Sequence, residues 1–163
     1  MGSTNAPGDS EPTFVFRRQD FSDGQTGAFP EDLRRWQPAV RLVRTVSDAT
    51  DSLTPGTAPN AVTRALARVV LWCLVTGRYA SWDMETLSAE EPLAHHLSAG
   101  LSLTHTDLHR FRREHEAALT AALSRLLHQV AAEGPAPRDT AACDAEAARR
   151  YEQARFADSR IHS

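Results

Sequence analysis

Apolar residues along this chain recur at helical intervals, not the alternating ones of a strand. From Pro30 onward Leu33, Trp36, Val40, Val43 and Val46 return every three or four positions, with Arg34, Arg35, Arg41 and Arg44 between them. That is the spacing of one buried helix face, and Pro30 and Pro38 both suit a first helical turn. Pro55, Gly56 and Pro59 then mark a loop over residues 51–59. The next segment, residues 60–76, is apolar nearly all round, interrupted only by Arg64 and Arg68, which predicts a helix at the centre of a core. Gly77 stands where a C-terminal cap is expected.

Further on, Ser81 offers an N-cap to a helix carrying Trp82, Met84 and Leu87. Glu90, Glu91 and Pro92 suggest a break, and a short helix is expected over residues 93–97. Thr104 with Asp107 resembles a capping box with Asp in place of Glu. It opens the longest predicted helix, residues 105–133, which ends at Gly134 and Pro135. On it Leu108, Phe111, His115, Ala118, Ala122 and Leu126 form one stripe. A last helix over residues 140–156 is alanine-rich with a thin apolar face, so it is expected to lean on a partner for stability. The pattern predicts an all-α fold, a compact bundle of five to six helices with a helix-turn-helix-like core. The organisation expected is a flexible N-terminal arm over 1–29, a helical domain over 30–133, and a linker with a C-terminal helix over 134–163. Phe14, Val15, Phe16, Phe21 and Phe29 would dock that arm, more readily onto its own domain than onto a partner.

Composition narrows the function classes. The formal net charge is −3, which does not suit a protein that coats nucleic acid indiscriminately, because such binding neutralises phosphates with cations. Any basic patch must be local. Its basic residues are all arginines, so every phosphate or carboxylate contact would come from a planar guanidinium fork. Cys73 and Cys143 match neither a zinc site nor a disulfide framework, and a reducing compartment follows. Residues 1–12 lack the apolar region of a signal peptide, and the longest uncharged apolar stretch, residues 69–76, is far too short to span a bilayer. The expectation is a soluble, cytoplasmic protein without membrane contact.

Enzymatic chemistry finds little footing. His95, His96, His105, His109 and His115 crowd into two predicted helices, yet nothing resembles an HExxH arrangement and no cysteine is near, so no metal is expected. Phosphate-cradling glycine loops and a GxSxG elbow are both absent. Asp83, Glu85, Glu90 and Glu91 read as a solvated face. No enzyme and no cofactor are therefore expected.

What remains is the start of the helix at His105. Leu108 and Phe111 anchor it, while Thr106, His109, Arg110 and Arg113 fall on the opposite face, with Arg112 at its flank. Free backbone N–H groups at the helix start favour a phosphate. Arg110 and Arg113 could reach guanine edges, and Arg112, Thr106 and the helix start could hold phosphates. His105, Arg78 and Ser81 are further candidates. An ordinary amphipathic helix with a basic solvated face fits the same residues.

A resemblance tips that balance. Residues 60–130 are similar to the N-terminal domain of bacterial insertion-sequence DDE transposases, in which an apolar helix ends in Gly and a Ser-initiated helix follows. Next comes a segment of "FRWL-x-G-G" type, then a signature similar to "DHSTLSRFRRRH". Here the pieces are residues 69–77, Ser81, residues 93–100 and the run Thr104-His105-Thr106-Asp107-Leu108-His109-Arg110-Phe111-Arg112-Arg113-Glu114-His115. The resemblance implies a helical module for double-stranded DNA, with His105, Arg110, Arg112, Arg113 and His115 matching the signature. His115 lies on the apolar stripe and is expected to be structural. The family's ribonuclease-H-like domain supplies three metal-binding carboxylates. No strand pattern surrounds Asp144, the nearest candidate here, so a non-catalytic relative is expected. The alternative is a helical protein-interaction or oligomerisation module that no longer binds DNA.

Overall fold

A computed structural model describes residues 29–51, 53, 60–134 and 138–161. The chain divides after Pro30, and the architecture below is that of the unit beginning at Glu31. The N-terminal arm and its aromatic residues lie outside the described residues, except for Phe29.

The unit is all helical, with seven α-helices and no strand among the described residues. They are α1 (Ala39–Asp51), α2 (Ala61–Val75), α3 (Ser81–Glu90), α4 (Pro92–Leu97), α5 (His105–Glu114), α6 (Glu116–Ala132) and α7 (Thr140–Ile161). A single 3-10 turn, Leu33–Arg35, precedes them. The pattern from Pro30 is therefore not one helix. The turn stops at Trp36, and α1 starts after Pro38, whose carbonyl accepts from the Leu42 N–H at 2.9 Å. The buried stripe of α1 is Leu42, Val46, Ala49 and Thr50, which leaves Val40 74 % exposed.

α2 is the central helix and packs against all six others. Its sequence explains this placement: every residue from Val69 to Val75 is buried, and burying one such side chain contributes about 1.5–3 kcal/mol. Asn60 caps its start by accepting from the Thr63 N–H at 2.7 Å. At its other end Gly77 has φ +81° and the Arg78 N–H reaches back to the Cys73 carbonyl at 2.8 Å, closing a Schellman motif. Space there is tight as well, since a Cβ at Gly77 would sit 3.3 Å from the Glu31 carbonyl oxygen.

Two further expectations change. The helix over residues 105–133 is two helices, because His115 leaves helical geometry at φ −120° and ψ 28°. Its ring packs on Phe111 at 4.4 Å between centroids and its Nδ1 lies 3.1 Å from the Phe111 carbonyl, so it is a structural joint. Neither glycine nor proline marks the break. α7 runs on past Phe156, and its inward stripe is Cys143, Ala147, Arg150, Tyr151, Ala154 and Asp158, all buried. The apolar face looked thin because two of those six positions carry charge.

Candidate functional site

α5 is held by its inner face. Leu108, Phe111 and Arg112 are buried, while Thr106, Arg110 and Arg113 are exposed. The Thr104 hydroxyl caps the helix, accepting from the Asp107 N–H at 3.1 Å. Thr106, Arg110 and Arg113 follow the i, i+4, i+7 spacing of one face. Arg110, 63 % exposed, lies 3.0 Å from Asp107, also on the surface. Such a pair contributes about 0.2–1 kcal/mol and exchanges readily with a competing anion.

Beneath that face lies a polar junction. The Asp158 carboxylate, on α7, accepts from the Ser81 N–H at 2.8 Å and the Ser81 hydroxyl at 2.9 Å, both on α3. It also takes the Arg112 guanidinium and sits 2.8 Å from the His109 Nδ1, both on α5. Arg112 and Asp158 are each only 5 % exposed. Burial alone would raise the Asp158 pKa, but the Ser81 N–H, the Arg112 charge, His109 and the Ser81 hydroxyl together hold it below the ordinary carboxylate range. The second Arg112 nitrogen donates to the Tyr79 carbonyl at 2.8 Å.

This junction corrects two assignments. Arg112 does not flank an outward face: it points inward and both its terminal nitrogens are engaged, by Asp158 and the Tyr79 carbonyl, so it is not placed to hold a phosphate. Ser81 is not an N-cap either. Ala80 occupies that position, and Ser81 is the first helical residue, buried against Asp158. His105 and His109 are half-buried and engaged. The His105 ring stacks on Trp82 at 3.5 Å between centroids and its Nδ1 lies 2.9 Å from Glu85. The hydrogen bond from His105 is the main reason the Glu85 carboxyl titrates below its usual range. Arg78 is exposed, one residue before the Tyr79 carbonyl that Arg112 uses. Thr106, Arg110, Arg113 and Arg78 are thus the predicted residues left on the surface.

The supposed solvated acids are partly engaged as well. Besides Glu85, Glu91 accepts from the Trp72 indole N–H at 2.8 Å. A second buried charge, Arg150, is wholly inaccessible and donates to Glu146 at 2.7 Å, the Leu74 carbonyl at 2.7 Å and the Glu31 carbonyl at 2.8 Å. It thereby satisfies a carbonyl that the end of α2 would otherwise leave unpaired. Arg149 beside it pairs with Glu31 at 2.9 Å, and Glu31 accepts from the Tyr79 hydroxyl. Asp158 and Arg150 carry no motif that singles them out, although the helical period from Cys143 through Ala147 and Ala154 puts position 150 at i+7 and position 158 at i+15 on the same inward stripe.

Among the described residues no three His, Cys, Asp or Glu side chains converge as a metal site requires, and no helix is long and apolar enough to cross a membrane. Comparison with known proteins finds no matching family model, no matching curated protein and no matching solved structure.

Proposed function

We propose that the unit binds double-stranded DNA through the outward face of α5, with Thr106, Arg110 and Arg113 as its contacts and Arg78 at its edge. The observation that carries this reading is the division of α5. Its inner face is fixed by Leu108, Phe111 and the Arg112–Asp158 pair, while two arginines and a threonine stand outward at one-turn intervals. A rigid helix with exposed guanidiniums suits bidentate contact with guanine edges and phosphates. The resemblance of residues 104–115 to the transposase signature supports the same face. In this reading the unit is a non-catalytic relative of that module, and its arginines act locally within an acidic chain.

The test is fluorescence anisotropy of the full chain with random duplex DNA across a salt series. Binding should weaken steeply with salt and fall at least tenfold in the Arg110→Glu/Arg113→Glu double variant, whose helical circular dichroism stays unchanged. Absence of binding at low salt would sink the proposal.

A second reading, oligomerisation with further copies of the chain, is favoured by Phe156 and Trp82, which are 57 % and 44 % exposed. Light scattering across a concentration series distinguishes it, since a self-associating module would exceed its monomer mass of 17.9 kDa.

A further inference from the structure

Between α5 and α7, where α6 begins, a groove of about 360 Å³ opens beside the proposed DNA face. A water occupies about 30 Å³ of liquid, so the groove has room for a phosphate group with part of its hydration. Arg112 and Asp158 form its floor and neutralise each other. The walls carry His109, Arg113, Glu116 and Arg155. Three arginines therefore face two carboxylates, and the groove keeps an excess of positive charge in a chain whose formal net charge is −3.

The individual partners sharpen this. Arg113 is exposed and has no carboxylate partner among the described residues. Arg155 meets Glu116 at 2.5 Å, with side chains 58 % and 42 % exposed. A pair that open to water is weak and exchangeable. Glu116 thus occupies the guanidinium that an incoming anion would use.

We infer that this groove is a phosphate site formed by Arg113 and Arg155, in which Glu116 is a displaceable internal competitor. A planar guanidinium binds two phosphate oxygens at once, so Arg155 released from Glu116, with Arg113 opposite, would clasp one phosphate group from two sides. The site stands on the groove itself. That the phosphate comes from a DNA backbone rests on the proposed function, since Arg113 belongs to both.

The experiment is amide NMR of the full chain at constant pH and ionic strength, titrated with inorganic phosphate against chloride and separately with a random 16-base-pair duplex. Phosphate should move the amides of Arg113, Arg155 and Ser159 saturably. Glu116→Gln should tighten binding about two- to fivefold, the size of a lost surface ion pair. Arg155→Ala, at an exposed position, should weaken binding by at least as much while the helical circular dichroism stays unchanged. No saturable shift, or equal affinity in all three proteins, overturns the site whatever DNA does. Phosphate binding without duplex binding upholds the site and assigns it to free phosphate compounds, while removing the DNA reading. Movement of the same amides by the duplex upholds both.

Discussion

Arg112 on α5 and Asp158 on α7 meet across 46 residues of sequence, both withdrawn almost completely from water. Removing one member of such a pair leaves the other charged and uncompensated in the interior, which costs about 3–5 kcal/mol. Asp158→Asn should therefore destabilise the protein by roughly that amount in urea unfolding monitored at 222 nm. A loss within experimental error of zero would show that the junction is dispensable.

The same carboxylate sets a pH dependence. Asp158 titrates below its ordinary value in the folded protein, so the stability it contributes is complete above its unfolded pKa of about 3.9 and is lost as pH falls through the lower folded value. Glu31 and Glu85 are displaced in the same direction. The wild type should lose stability below about pH 4, whereas Asp158→Asn should show a shallower acid slope. Parallel slopes in a pH series of urea melts would contradict the assignment.

Arg112 and Arg113 are neighbours with opposite duties. Arg112→Ala should lower stability by several kcal/mol, on the order of a broken buried pair. Arg113→Ala should leave the thermal midpoint unchanged and reduce the salt slope of DNA binding by about one. Finding both effects in one variant would mean that the inner and outer faces of α5 are not separable.

Arg150 offers a sharper version of the same argument. It serves one carboxylate and two backbone carbonyls without any access to solvent. A lysine ammonium is a point charge that lacks the planar fork. Arg150→Lys should cost about 1–3 kcal/mol, the penalty of an unsatisfied buried acceptor, and Arg150→Met should leave the same carbonyls unpaired. Full stability of the lysine variant would show that the fork geometry is not required.

Gly77 has a positive φ and a close carbonyl neighbour. Gly77→Ala should lower stability by about 1–2 kcal/mol through left-handed strain alone, read as a fall in the thermal midpoint. An unchanged midpoint would mean that the turn rearranges at no cost.

Much of the helical frame was legible in the residues because the governing signals are local. Asn60 and Thr104 cap where short polar side chains normally do, Gly77 ends α2, and Pro92 starts α4. The break at His115 was not legible, since no proline or glycine marks it and the apolar stripe continues across it. The inward turn of Arg112, Ser81, Arg150 and Asp158 was hidden for a different reason. A charged or polar residue reads as exposed unless its partner is known, and apart from Glu146, four residues from Arg150, these partners lie 33 to 119 residues away. The outward placement of Thr106, Arg110 and Arg113 could be read because it needs only the helical period.

The position of Asp158 also has a consequence for synthesis. When the ribosome has added Arg112, 46 further residues separate it from its counter-ion. At about 5–20 residues per second that interval lasts roughly 2–9 seconds. Throughout it the nascent helix carries a cation on the side that must later turn away from water, so the polypeptide can finish α5 long before it can seat it.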